Sequence, residues 1–208
     1  MPKYKLLQAL QVSLNCNLAL LKSLSLLTTA ILQHRTVNLA VLATTADGKD
    51  CSNESRYRRF QDFFLNFTLC LPSLGKFLLD RIPKPFSGYI LAMDRTNWQF
   101  GQRDINFLTI AIVAGKVSIP VVWKVLPAST RRGNSNTAQR VALTKTLLAL
   151  LPASNIQVLT MDREFVSKKW LSWLDEQGVG YIVRIKKNAV VGKRLASEHA
   201  VSRGRKPT

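Results

Sequence analysis

Two apolar runs in this chain end the same way: Leu91-Ala92-Met93-Asp94-Arg95 and Leu159-Thr160-Met161-Asp162-Arg163. Both read as short buried strands that surface at an aspartate. If residues 88–94 and 156–162 lie side by side and parallel, both carboxylates emerge at the carboxyl edge of one sheet, where open α/β sheets build their sites. The echo therefore asks for a sheet with helical crossovers in which these two strands are neighbours. A plainer reading stays open, in which each aspartate is an ordinary strand-end turn residue with Arg95 or Arg163 as an ion-pair partner.

The sequence around these runs supplies the rest of such a sheet. Residues 105–113 and 117–126 are apolar and β-rich, and Ala114-Gly115-Lys116 between them predicts a hairpin. Pro120 has no N–H for a ladder, so its strand belongs at an edge. Asn134 or Ser135 can cap a helix over 136–151, Gly178 closes another over 166–178, and 179–187 is a further strand. The order strand, strand, strand, helix, strand, helix, strand predicts an α/β fold, a mixed sheet with flanking helices.

The first part of the chain has a different period. Leu7, Leu10, Leu14, Leu18, Leu21, Leu24, Leu27 and Ile31 recur at three- and four-residue steps, which predicts a continuous helical stripe. Asp47-Gly48-Lys49-Asp50 is a turn signal, and the sequence after it predicts a second helix over 56–80. Arg56, Arg58 and Arg59 cluster near its start, where the helix dipole disfavours cations. Contact with phosphates would explain them, as would a solvated basic face. The segment 82–88, with two prolines and a glycine, reads as a linker. This divides the chain into an all-helical region (1–81), a linker (82–88), an α/β core (89–195) and a basic tail (196–208).

Charge and cysteine content narrow the function. Against 30 Lys and Arg stand 12 Asp and Glu, a net charge of +18 with a pI near 10.4. Such an excess points to a polyanionic partner, and nucleic acid is the usual one. Cys16, Cys51 and Cys70 show no C-x-x-C pairing and the histidines are His34 and His199 alone, which excludes a Cys/His zinc site and a disulfide framework and fits a reducing cytoplasm. The Leu-rich stretch 6–21 is too short and too rich in Gln and Asn for a membrane span.

In such a chain, two converging carboxylates need a cation between them or must share a proton. Without soft ligands nearby, the expected cation is Mg²⁺ or Mn²⁺, which favour hard oxygen donors and leave positions open for phosphate oxygens. Asp94 and Asp162 are thus the candidate metal ligands.

The stretches LAMDRTNWQFGQRDINFLTIAIV, RRGNSNT and MDREF followed by YIVRIKKN resemble bacterial insertion-sequence transposases of the DDE class. The resemblance covers most of 56–195. It implies an RNase H-like catalytic core, Mg²⁺-dependent cleavage and joining of transposon-end DNA, a helical DNA-binding region before the core, self-association on DNA, and a cytoplasmic, nucleoid-associated protein. Asp94 matches the first catalytic acid of that family and Asp162 the second. Arg163 and Glu164 fit its D-R-E-F motif, where they orient the acid or touch DNA.

The family's third acid lies in a Y-x2-R-x3-E-x6-K motif. Tyr181 and Arg184 begin this pattern, but Asn188 stands where the acid belongs. Glu198 follows Arg194 by four residues, yet Val191 replaces the tyrosine and Arg205 the lysine. The resemblance therefore leads us to expect the front portion of a transposase, without its third acid. A catalytically silent DNA-binding derivative, acting as a regulator or inhibitor of transposition, is the alternative. Arg131, Arg132, Arg163, Arg184 and Lys186 join Arg56, Arg58 and Arg59 as expected DNA contacts.

Overall fold

A computed structural model describes residues 3–45, 51–68, 70–127, 135–185, 190–191 and 194–195. The chain separates into two compact units, Met1–Ile82 and Pro83–Thr208.

The first unit is all helical, with more breaks than the apolar period suggested. α1 (Lys3–Ser13) and α2 (Leu18–His34) are separate, because the Asn17 side chain caps α2 by accepting from the Ala19 N–H at 2.8 Å. After a short α3 (Leu39–Leu42), the predicted helix over 56–80 is also two: α4 (Asn53–Asn66) and α5 (Leu71–Leu79), bent by 107°. Pro72 accounts for the break, since proline fits the first turn of a helix but not its interior. Two cores fill this unit. Leu26, Leu27, Ala30, Leu42, Phe60 and Phe63 form one, and Leu10, Leu14, Leu21 and Phe77 the other.

The second unit is the mixed α/β sheet. β1 (Tyr89–Phe100), β2 (Arg103–Ala114) and β3 (Val117–Leu126) form an antiparallel meander. α6 (Thr137–Leu150) then leads to β4 (Ile156–Met161), and α7 (Lys168–Glu176) to β5 (Tyr181–Val183). The order is β3-β2-β1-β4-β5, with β4 and β5 parallel to β1. Two-residue strands β6 (Val190–Val191) and β7 (Arg194–Leu195) pair separately. The fold is the expected α/β mixed sheet with flanking helices, preceded in the chain by helices.

Local chemistry explains these boundaries. Pro120 lies in edge strand β3, where the ladder with β2 shifts register between Ile110 and Ala111. Asn136 and Gln139 make a reciprocal capping box at the start of α6. Gly178, at φ 68°, ends α7 and returns the Val179 N–H to Leu174 O at 3.0 Å. Gly88 enters β1 at φ 87°, and a Cβ there would meet Asn155 O at 2.9 Å. Only glycine suits that position.

The first strand differs from the expectation of a short run ending at Asp94. β1 continues to Phe100 because residues 95–100 find a full ladder in β2, from Leu108 to Arg103. β5 is shorter than the predicted 179–187. No single helix among the described residues is long and apolar enough to cross a membrane.

Candidate functional site

The pairing of β1 with β4 is in register through Leu91↔Leu159, Ala92↔Thr160 and Met93↔Met161, and there the ladder ends. Met93 and Met161 are both buried, so they face the helices that cover one side of the sheet. Side chains alternate along a strand, so the next residue on each, Asp94 and Asp162, turns to the opposite face. Both aspartates are exposed. Asp162 stays extended at φ −81°, ψ 169° before the chain folds into a 3-10 turn over Arg163–Phe165. Adjacent strands lie roughly 4.8 Å apart, and the ladder stops one residue short of both aspartates, so each follows its last pair on neighbouring chains. Asp94 Oδ1 also accepts from the Arg95 N–H at 2.7 Å.

Arg184 lies at the same edge. Its backbone N–H donates to Met161 O at 3.0 Å just past the end of β5, and its side chain is exposed. Arg163 is exposed as well. Four of the sequence-predicted residues, Asp94, Asp162, Arg163 and Arg184, therefore gather at one edge of the sheet.

The opposite face of this edge is held by ions that the sequence reading did not pair. Arg95 Nε lies 3.3 Å from both carboxylate oxygens of Glu164, and Arg95 Nη2 lies 3.2 Å from Glu164 Oε2. Arg95 Nη1 donates to buried Asn106 Oδ1 at 3.2 Å. Beneath them Arg140 of α6 is itself buried. It donates to Ser135 Oγ at 2.9 Å, Ser135 O at 2.5 Å, Glu164 O at 3.2 Å and Phe165 O at 3.3 Å. Burial pulls the Arg140 guanidinium below its usual pKa, and the charge of Glu164 opposes that shift. A signal for Arg140 was present in the sequence: it precedes Leu143 and Leu147 by three and seven residues, on the core face of its helix.

Other expected DNA contacts separate. Arg58 and Arg59 are exposed on α4, with Arg58 Nη2 paired to Glu54 at 2.8 Å. Arg56 corrects the prediction. It is buried and donates to Ala43 O at 2.6 Å, Thr45 O at 2.9 Å and Cys51 O at 2.7 Å, so its guanidinium serves the fold and is not free for a phosphate. Arg131, Arg132, Lys186 and Glu198 lie outside the described residues. Trp98 is 62% exposed and meets Phe107 edge to face, lining with Trp123 a shallow depression of about 270 Å³ on the face that bears the aspartates.

Two exposed carboxylates that follow the last β1–β4 pair are hard oxygen donors, the kind that suits a divalent cation such as Mg²⁺ or Mn²⁺. Among the described residues no group of three or more metal-ligating side chains assembles.

Residues 85–208 match the Transposase DDE domain, more than half of the chain, and the chain is a member of that family. Among solved structures it is similar to the HTLV-2 integrase catalytic core domain in complex with magnesium, in its dimeric form. That match has 8% identity and a TM-score of 0.36, over 49% of this chain and 63% of that one. It is also similar to a chain of the simian T-cell lymphotropic virus intasome in complex with PP2A regulatory subunit B56 gamma. There the identity is 9% and the TM-score 0.37, over 75% of this chain and 51% of that one. The chain thus spans less than two thirds of the length of these integrase chains. No curated protein matches it.

Proposed function

We propose that this chain is the DNA- and metal-binding part of a transposase whose reaction is cleavage and joining of transposon-end DNA. The observation that supports the proposal is the register Met93↔Met161, the last pair of the parallel β1–β4 ladder, after which Asp94 and Asp162 are the next residues of their two chains. Asp94 and Asp162 would hold Mg²⁺ or Mn²⁺, and the bound ion would supply charge stabilisation to a phosphodiester under attack. Arg163 and Arg184, exposed beside the acids, neutralise phosphates and position the strand. Arg58 and Arg59 add phosphate contacts from α4. Self-association on DNA and a place at the nucleoid belong to the same reading.

A second reading, a DNA-binding derivative without catalysis, rests on the sequence: Asn188 stands where the family's third acid belongs. Phosphoryl transfer depends almost entirely on positioning and charge stabilisation. Mg²⁺ also demands near-octahedral coordination, so a missing anionic ligand is costly. Losing one would slow the reaction on the order of a thousandfold, or about 4 kcal/mol. We therefore expect the purified chain to bind a linear duplex and to leave its 3′-OH ends unjoined in Mg²⁺ or Mn²⁺. Joining that disappears in Glu198→Gln, with DNA binding intact, would make Glu198 the third acid and overturn the silent reading. A parent chain that binds no duplex at low salt would overturn both readings.

A further inference from the structure

We infer that the Arg95–Glu164 ion pair is a positioning device that fixes the separation of the two aspartates, and that Glu164 is not itself a metal ligand. The inference rests on the reading of Asp94 and Asp162 as the metal site.

The reasoning begins where the backbone stops helping. The β1–β4 ladder closes at Met93↔Met161, so no ladder bond holds Asp94 to Asp162. The next residue on β1 is Arg95, and the second residue after Asp162 is Glu164. Their side chains meet on the helix-covered face, opposite the carboxylates, through Nε and Nη2 of the guanidinium. The pair is 15% and 23% exposed, so solvent screens it less than a surface bridge.

Each end is anchored to something rigid. Arg95 is tied by Asn106 to β2, and the Arg140 guanidinium holds the backbone carbonyls of Glu164 and Phe165. Phe165 is fully buried beneath the turn. The pair therefore spans from the β1–β2 hairpin to the α6-braced turn, crossing the gap that the ladder leaves open. Its planar, two-point geometry resists shear between the two strand ends in a way a single hydrogen bond does not. Because Glu164 is engaged by Arg95 on the far face, it is withheld from the two aspartates.

The test is Mn²⁺ binding to the full-length chain, read from the EPR signal of free Mn²⁺, with near-UV circular dichroism to follow folding. Supporting residues around a metal site cost about 10- to 100-fold in affinity when removed. We expect Arg95→Gln and Glu164→Gln each to weaken Mn²⁺ binding about tenfold or more while the folded signal persists. The double variant should be no weaker than either single one, and Arg95→Lys should recover part of the loss. Parent-level affinity in Glu164→Gln, alongside loss in Asp94→Asn, would overturn this proposal and leave the metal site standing. Tighter binding in Arg95→Gln combined with loss in Glu164→Gln would make Glu164 a ligand, which also overturns it. A parent chain that binds no Mn²⁺, or binds it unchanged in Asp94→Asn and Asp162→Asn, would overturn the metal-site reading and this proposal together.

Discussion

Three arginines in α4 illustrate how similar residues divide their work. Arg56 precedes Phe60 and Phe63 by four and seven residues, so the helical period places it on the buried face, while Arg58 and Arg59 point to solvent. Arg56 donates to three backbone carbonyls, two just after α3 and one before α4, which would otherwise be stranded as the helix packs. We expect Arg56→Ala to lower stability by about 3 kcal/mol or more, since several buried acceptors lose a charged donor at once. Urea denaturation of the full chain would show it. Arg58→Ala and Arg59→Ala should change stability by less than about 0.5 kcal/mol, because the Arg58–Glu54 pair is solvent-exposed. Equal losses from all three substitutions would contradict this division. Residue type and cluster position gave no hint of it; the spacing to the phenylalanines did. Arg140 repeats the lesson on α6. The Arg95–Glu164 pair could not be read, because it depends on how the 3-10 turn over Arg163–Phe165 carries Glu164 back towards β1, which the strand pattern does not encode.

At the level of elements, the second unit was the more legible of the two. Strands announce themselves by apolar runs between turn residues, and Pro120 marked its strand as an edge for a reason of hydrogen bonding that survives any packing. The helical unit was read too coarsely: one leucine stripe ran across both α1 and α2, and the cap at Asn17 was hidden within it. Pro72 carried the missed signal for the break before α5, since a proline there is compatible with a helix start but not with a helix interior. The far end of β1 was missed because Arg95-Thr96-Asn97 interrupts the apolar run, and polar residues suit a hairpin with one face open to water. Two predictions belong here. Gly88→Ala should cost roughly 1–3 kcal/mol, because it strains a positive φ and drives a Cβ against the Asn155 carbonyl. Asn136→Ala should cost about 1 kcal/mol through loss of the α6 capping box. Thermal unfolding would rank the two, with Gly88→Ala the more damaging. The reverse order would mean that the entry into β1 relaxes freely.

On the scale of the whole molecule the decisive property is how charge is distributed. Residues 83–208 contain 20 Lys and Arg against 7 Asp and Glu, a net +13 of the total +18. The unit that bears the aspartates is therefore the one most strongly drawn to a polyanion. Acidic side chains at the centre of a basic unit would repel DNA if they stood alone. In the reading proposed above, the exposed Arg163 and Arg184 would offset that repulsion by neutralising phosphates. Each phosphate that a protein neutralises releases counterions, so the logarithm of the binding constant falls with the logarithm of salt by about 0.9 per contact. We expect Arg163→Ala combined with Arg184→Ala to lower that slope by roughly 2 and to weaken duplex binding whatever its sequence. Arg58→Ala with Arg59→Ala should lower it by a similar amount if α4 also follows the backbone. Arg56→Ala should leave it unchanged in whatever fraction stays folded, because that guanidinium faces carbonyls and not solvent. Fluorescence anisotropy over a range of KCl concentrations without divalent metal measures all three. A slope that neither pair of substitutions alters would show that DNA binds elsewhere on the molecule. The two aspartates would then lose the phosphate contacts proposed beside them, and with them their role as the place where a DNA strand is held.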